Sequence, residues 1–109
     1  MKILVVDDDK EIVELLSIYI QNEGYEVEKA YNGKEALTKI KTIKNIDLMV
    51  LDVMMPNMDG YETAEKIRTK PKMLTLPLIA VTAKAMTGDR EKCIKAGASD
   101  YITKPVDID

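Results

Sequence analysis

Residues 47–60 read DLMVLDVMMPNMDG, and the change of character at Asp52 decides the fold. Asp47 to Leu51 carries a continuous apolar run rather than an alternating one, which predicts a strand covered on both faces. The run delivers Asp52 at its carboxyl end. A loop containing Pro56 and Gly60 follows, and then a helix carrying Tyr61, Ala64 and Ile67 at helical spacing.

The same alternation extends in both directions. Upstream, Ile3-Leu4-Val5-Val6 is another buried strand, stopped at Asp7. From Asp9 to Asn22 the apolar residues Ile12, Leu15, Leu16, Tyr19 and Ile20 recur as on a helix, with an aspartate ahead as N-cap and Gly24 as the stop. Val27 to Ala30 is a weaker strand, Asn32-Gly33 a turn signal, and Ala36, Leu37 and Ile40 mark a short helix. Downstream, Pro77 opens LIAV, a strand ending at Thr82. Met86 to Ala96 forms a fourth helix stopped by Gly97, and Tyr101-Ile102-Thr103 is a last strand ending at Lys104-Pro105. Strands alternating with helices predict an α/β fold, with right-handed crossovers and a parallel sheet covered on both faces.

With 109 residues the chain holds one domain. The single cysteine, Cys93, cannot close an internal disulfide, which fits a reducing compartment. The sequence contains no histidine, which removes every His-based base, metal triad or phosphohistidine step from its own repertoire. A net charge of −3 argues against a nucleic-acid surface, and no apolar run approaches the roughly 20 residues that span a bilayer. MKILVVDDD is interrupted by three aspartates and is no signal peptide. The expectation is a soluble cytoplasmic protein that binds neither membrane nor nucleic acid directly.

In an open α/β sheet, ligands sit beyond the carboxyl ends of the strands, where the strand order reverses. The residues at those ends are Asp7 and Asp8, Asp52, Thr82 and Lys104. Taken alone, an aspartate there is usually a cap or turn former, a threonine a strand residue, and a lysine a solvated charge. Asp9 is assigned to that plain structural role. Five such residues converging on one rim are harder to explain that way. Three crowded carboxylates repel unless a cation sits among them, and an oxygen-only donor set suits Mg²⁺. A carboxylate can also be a nucleophile toward phosphorus, with a metal, a lysine and a hydroxyl stabilising the charge on the equatorial oxygens.

The segments ILVVDDD, DLMVLDVMMPNMDG, LIAVTA and AGASDYITKPV together resemble the response-regulator receiver domains of two-component signalling, over essentially all 109 residues. The resemblance implies a flavodoxin-like doubly wound sheet of five parallel strands in the order 2-1-3-4-5. It also implies Asp52 as phosphoacceptor and Asp7, Asp8, Asp52 and the backbone carbonyl of Met54 as ligands of Mg²⁺. Thr82 would be the switch hydroxyl, Tyr101 the coupled aromatic switch, and Lys104 the phosphate-binding lysine, in a cis Lys104-Pro105 peptide. The implied partner is a histidine kinase or a histidine phosphotransfer protein. The chain stops four residues after Pro105, where the family places a fifth helix, so the expectation is a receiver domain over 1–109 lacking that helix. The stretch from Ala85 onward is most similar to receivers of hybrid sensor kinases or single-domain regulators.

Two other functions compete. A metal-dependent phosphatase with an aspartate nucleophile usually carries a second aspartate two residues later as general acid, and Met54 stands there instead. A receiver-like docking module would not need the full set of five rim residues. A dinucleotide site fits poorly, since no glycine-rich loop follows the first strand, and Asp7-Asp8-Asp9 would repel a pyrophosphate. The methionines near Asp52, among them Met49, Met55 and Met58, are read as strand core and loop packing rather than a soft-metal site.

Overall fold

Five short strands form one parallel sheet: β1 (Lys2–Val6), β2 (Glu26–Ala30), β3 (Leu48–Asp52), β4 (Leu78–Thr82) and β5 (Asp100–Thr103). Their order is β2-β1-β3-β4-β5, the order the resemblance implied. The computed structural model describes residues 1–52, 60–70, 73–82 and 89–103. Four helices connect the strands: α1 (Lys10–Asn22), α2 (Gly33–Thr42), α3 (Gly60–Arg68) and α4 (Asp89–Ala96).

Side chains alternate across the sheet and build two cores. Leu4, Val6, Met49, Leu51, Leu78 and Ala80 face α2, α3 and α4, meeting Ala36, Ile40, Ala64, Ile67 and Ala96. Ile3 and Val5 face the other way, onto Val13 of α1, with Leu16, Ile20, Leu48 and Val50 packed around them. Strand β2 at the edge carries Glu26, Glu28 and Lys29, charges that discourage a further strand from pairing there. No described helix is long and apolar enough to cross a membrane.

The caps explain where the helices begin and end. Asp9 is the N-cap of α1, its carboxylate accepting from the Glu11 amide, as its plain reading required. Asn32-Gly33 is not a free turn. Asn32 caps α2 by accepting from the Glu35 amide, while Glu35 accepts from the Tyr31 amide and the Asn32 side chain, a reciprocal box that starts the helix at once. Gly24 and Gly97 follow α1 and α4 with φ of +93° and +119°, a backbone that glycine tolerates best. At Gly97 space is also scarce, since a Cβ would lie 2.6 Å from Cγ of Arg68. That arginine donates to the carbonyls of Gly97 and Met73, tying the end of α3 to the α4–β5 turn.

The inward stripe of α1 differs from the one the apolar spacing suggested. Leu15 and Tyr19 are 56% and 42% exposed, as is Ile18 at 55%, while Val13 and Ser17 are buried. The helix is apolar over more than half its circumference, so spacing alone could not say which stripe meets the sheet. Helix α4 begins at Asp89; the residues from Met86 that were expected to open it lie outside the described residues.

Ser17 Oγ is buried on the inner face of α1 without a hydrogen-bond partner among the described residues. An unsatisfied buried hydroxyl costs about 1–3 kcal/mol, and alanine removes it at almost no change in volume and with better helix propensity. Ser17→Ala is therefore expected to raise the urea midpoint at unchanged m-value, a gain of about 1 kcal/mol in unfolding free energy. A fall in midpoint would show that the hydroxyl is satisfied after all.

Candidate functional site

The sheet brings two aspartates together through register alone. Val6 pairs with Leu51 across β1 and β3, so the next residue on each strand is an aspartate, Asp7 and Asp52. Between these strands the chain switches from building the sheet on one side to building it on the other. That is where a crevice opens at the carboxyl ends.

Carboxylate oxygens of Asp7, Asp8 and Asp52 lie within 4.8 Å of one another. Asp7 and Asp52 are each only 3% exposed, and Asp8 is open to solvent. The loop presenting the pair is held by hydrogen bonds to backbone amides and a backbone carbonyl. The Asp7 amide donates to the Ala30 carbonyl at 3.2 Å, continuing the β1–β2 ladder by one residue. Asp7 Oδ1 accepts from the Asp9 amide at 3.0 Å, and Asp9 is fixed in turn as the cap of α1. The donor atoms are all hard oxygens, close enough to share one cation, so the cluster could hold a metal ion of the Mg²⁺ or Ca²⁺ kind.

Thr82 is the last residue of β4, one step beyond Val81, the register partner of Asp52. It pairs with Thr103, the last residue of β5, whose sequence neighbour is Lys104. The backbone therefore brings Thr82 to the same rim as the carboxylates, one strand away from Asp52. Tyr101 lies within β5, opposite Ala80. The side chains of Thr82 and Tyr101, and Met54, Lys104 and Pro105 altogether, lie outside the described residues.

On the β2 side the rim is flanked by a group that the sequence did not single out. Glu14 accepts from Lys29 at 2.9 Å and from the Tyr31 hydroxyl at 3.4 Å, and the Lys10 ammonium stands 5.9 Å from the Tyr31 ring centroid. The hydrogen bond from Lys29 holds the Glu14 carboxyl below its ordinary range, and the same bond raises Lys29. Glu14 and Lys29 stand on a helix and a strand fifteen positions apart, and no local pattern marks such a pair. Across the rim, Lys92 of α4 stands 4.5 Å from the ring centroid of Tyr61 near the start of α3.

Comparison with known proteins gives one consistent result. The family model for the response regulator receiver domain matches residues 3–109. An uncharacterized 14.6 kDa protein in the sodA1 3′ region of Leptolyngbya boryana is 47% identical over 98% of this chain and 81% of its own. The regulatory protein VanRc of Enterococcus gallinarum is 43% identical over 95% of this chain, which spans only 43% of that protein's length. Among solved structures, the receiver domain of the Francisella response regulator 1452 superposes with a TM-score of 0.88 at 36% identity, over 97% of this chain and 85% of the other.

Three carboxylates this close repel one another when no cation stands among them. Unit charges about 5 Å apart repel by roughly 1–3 kcal/mol between water-like and protein-like dielectrics. In EDTA, Asp52→Asn and Asp8→Asn are each expected to be more stable to urea than the wild type by about 1 kcal/mol. A millimolar divalent cation should erase the difference by stabilising the wild type alone. Variants that are less stable than wild type in EDTA would show that the carboxylates are not mutually repulsive.

Proposed function

The chain belongs to the response regulator receiver domain family, and from that membership we propose that Asp52 is the aspartate that accepts the phosphoryl group. Receiver domains are phosphorylation-activated switches of two-component systems, taking their phosphoryl group from histidine kinases or phosphotransfer proteins. The single observation that carries the assignment to Asp52 is its place: buried at the end of β3, at the switch point, with the carboxylates of Asp7 and Asp8 within 4.8 Å.

Asp7, Asp8, Asp52 and the Met54 backbone carbonyl would hold Mg²⁺ in this reading. Hard oxygens in a cluster of this size suit that ion, which retains waters and accepts phosphate oxygens. When bound, Mg²⁺ supplies positive charge against the carboxylates and the incoming phosphoryl oxygens. A carboxylate oxygen of Asp52 attacks the phosphorus of the partner's phosphohistidine. The P–O bond forms as the P–N bond breaks, and the bonding pair returns to the imidazole nitrogen. Lys104 would place an ammonium against the phosphoryl oxygens, and Thr82 would donate its hydroxyl to one of them. The added charge would draw Thr82 inward, and Tyr101 would follow into the space it leaves, changing the surface around α4 and β5.

Turnover of an external phosphate ester is not part of this reading, because Met54 stands where phosphatases of related build carry an acid. The chemistry is confined to gaining and losing one phosphoryl group, in the cytoplasm where the donor kinases act. Output partner and signal belong to whatever adjoins or meets this domain.

With acetyl phosphate and Mg²⁺, the wild type should gain one phosphoryl group by intact mass, and Asp52→Asn should gain none. Labelling of Asp52→Asn at the wild-type rate would remove Asp52 from its role. Met54 has no group that orients an attacking water, so the phosphoprotein should be long-lived, and Met54→Asn should lose its label several-fold faster. Equal decay in the two proteins would show that this position does not govern lifetime.

A further inference from the structure

At the opposite end of the strands from the carboxylates, between the end of α2 and the segment after α3, lies a cleft of about 600 Å³. Ile40, Ile43, Ile46 and Met73 line it with aliphatic surface, and Lys41, Lys44 and Asn45 complete the lining. Asn45, between Lys44 and Ile46, adopts a left-handed φ of 68° that turns the chain toward β3. In this fold class ligands are expected at the carboxyl ends of the strands, so the cleft has no share in the phosphoryl site.

Charge distinguishes it from an ordinary surface groove. Residues 33–46 contain four lysines and a single glutamate, in a chain whose net charge is −3. Lys39 is paired with Glu28 at 3.5 Å. Lys41 and Lys44 are exposed and enter no ion pair among the described residues. Lys41 suits the carbonyl end of α2, as any cation in a last turn does. Lys44 lies beyond the helix, where that explanation ends. Asn45 is the one uncharged polar residue of the lining, and the rest of its uncharged surface is three isoleucines and a methionine, which suit a hydrocarbon better than a sugar or a base that needs several polar partners when buried. Ammonium groups above an aliphatic floor complement a ligand with an anionic head and a hydrocarbon tail.

We propose that this cleft binds an aliphatic carboxylate of the medium-chain fatty-acid type, its tail on Ile40, Ile43, Ile46 and Met73 and its head between Lys41 and Lys44. The volume falls within the range of small-molecule sites, and a concave, tail-sized hollow suits a free acid better than a bilayer surface. Affinity is modest, with Kd on the order of 1 mM for a ligand of this size.

The test is a titration of the full chain followed by backbone amide NMR. The probes are decanoate, decyltrimethylammonium and phosphatidylglycerol vesicles, each against wild type and the double variant Lys41→Gln/Lys44→Gln. Both lysines are exposed, so the variant folds. Decanoate should give saturable shifts confined to residues 40–46 and around Met73, weakened about tenfold in the double variant, while the cationic probe leaves these residues unmoved. The proposal is overturned by no saturable shift, by equal response to the cation, or by unaltered affinity in the double variant. It also fails if the shifts gather instead on the exposed apolar side of α1, or if only the vesicles bind.

Discussion

Strand β1 is hydrogen-bonded along both edges and covered on both faces, and the rest of the molecule depends on its register. It pairs with β2 on one side and β3 on the other, and its four apolar residues, Ile3 to Val6, are all buried. Leu4 and Val6 serve one core, Ile3 and Val5 the other. A slip of one residue would turn each set toward the wrong helices. It would also part Asp7 from Asp52, which meet only because Val6 faces Leu51. The packing that stabilises the sheet is thus the same constraint that assembles the site.

The site in turn gathers like charges that repel one another. Two nearly buried carboxylates and a third at the surface share a small volume, and the chain has no histidine to place among them. The loop that bears the arrangement is fixed by hydrogen bonds: the ladder bond from the Asp7 amide to the Ala30 carbonyl and the capping of α1 by the Asp9 carboxylate. Sites of this kind, in which local repulsion is tolerated because the surroundings are rigid, are where sequence rules for a quiet core are expected to fail.

Much of this was legible in the sequence because strand ends and charge changes coincide. Each buried run stops at a polar residue, so the alternation of strands and helices and the convergence of Asp7, Asp8 and Asp52 could be read directly. The strand order could not be read from periodicity and came from the family resemblance. Other features escaped for physical reasons. Helix α1 is apolar too far round its circumference for spacing to identify its inner stripe, and Leu15 and Tyr19 turned out to face solvent. Asn32-Gly33 resembled a turn because the acceptor that starts a helix and the acceptor that closes a turn are the same side chain. Glu14 with Lys29, and the cleft joining Ile43 to Met73, unite positions far apart in the chain and leave no local signature.

The order of the strands also bears on how the chain is made. A ribosome releases β1 first, yet β1 is an interior strand, with both edges destined for partners that have not yet been synthesised. One partner, β2, follows within about twenty residues, and the other, β3, is complete at Asp52. From there every later strand joins the outer edge of its predecessor, β4 on β3 and β5 on β4. Growth after residue 52 is therefore simple addition, with each crossover closing a loop of modest length. The three acidic residues belong to the part of the chain up to that point, just after β1 and at the end of β3. Asp7, Asp8 and Asp52 are thus all synthesised before Lys104, so in the order of synthesis the acidic rim precedes the lysine that the resemblance sets against it.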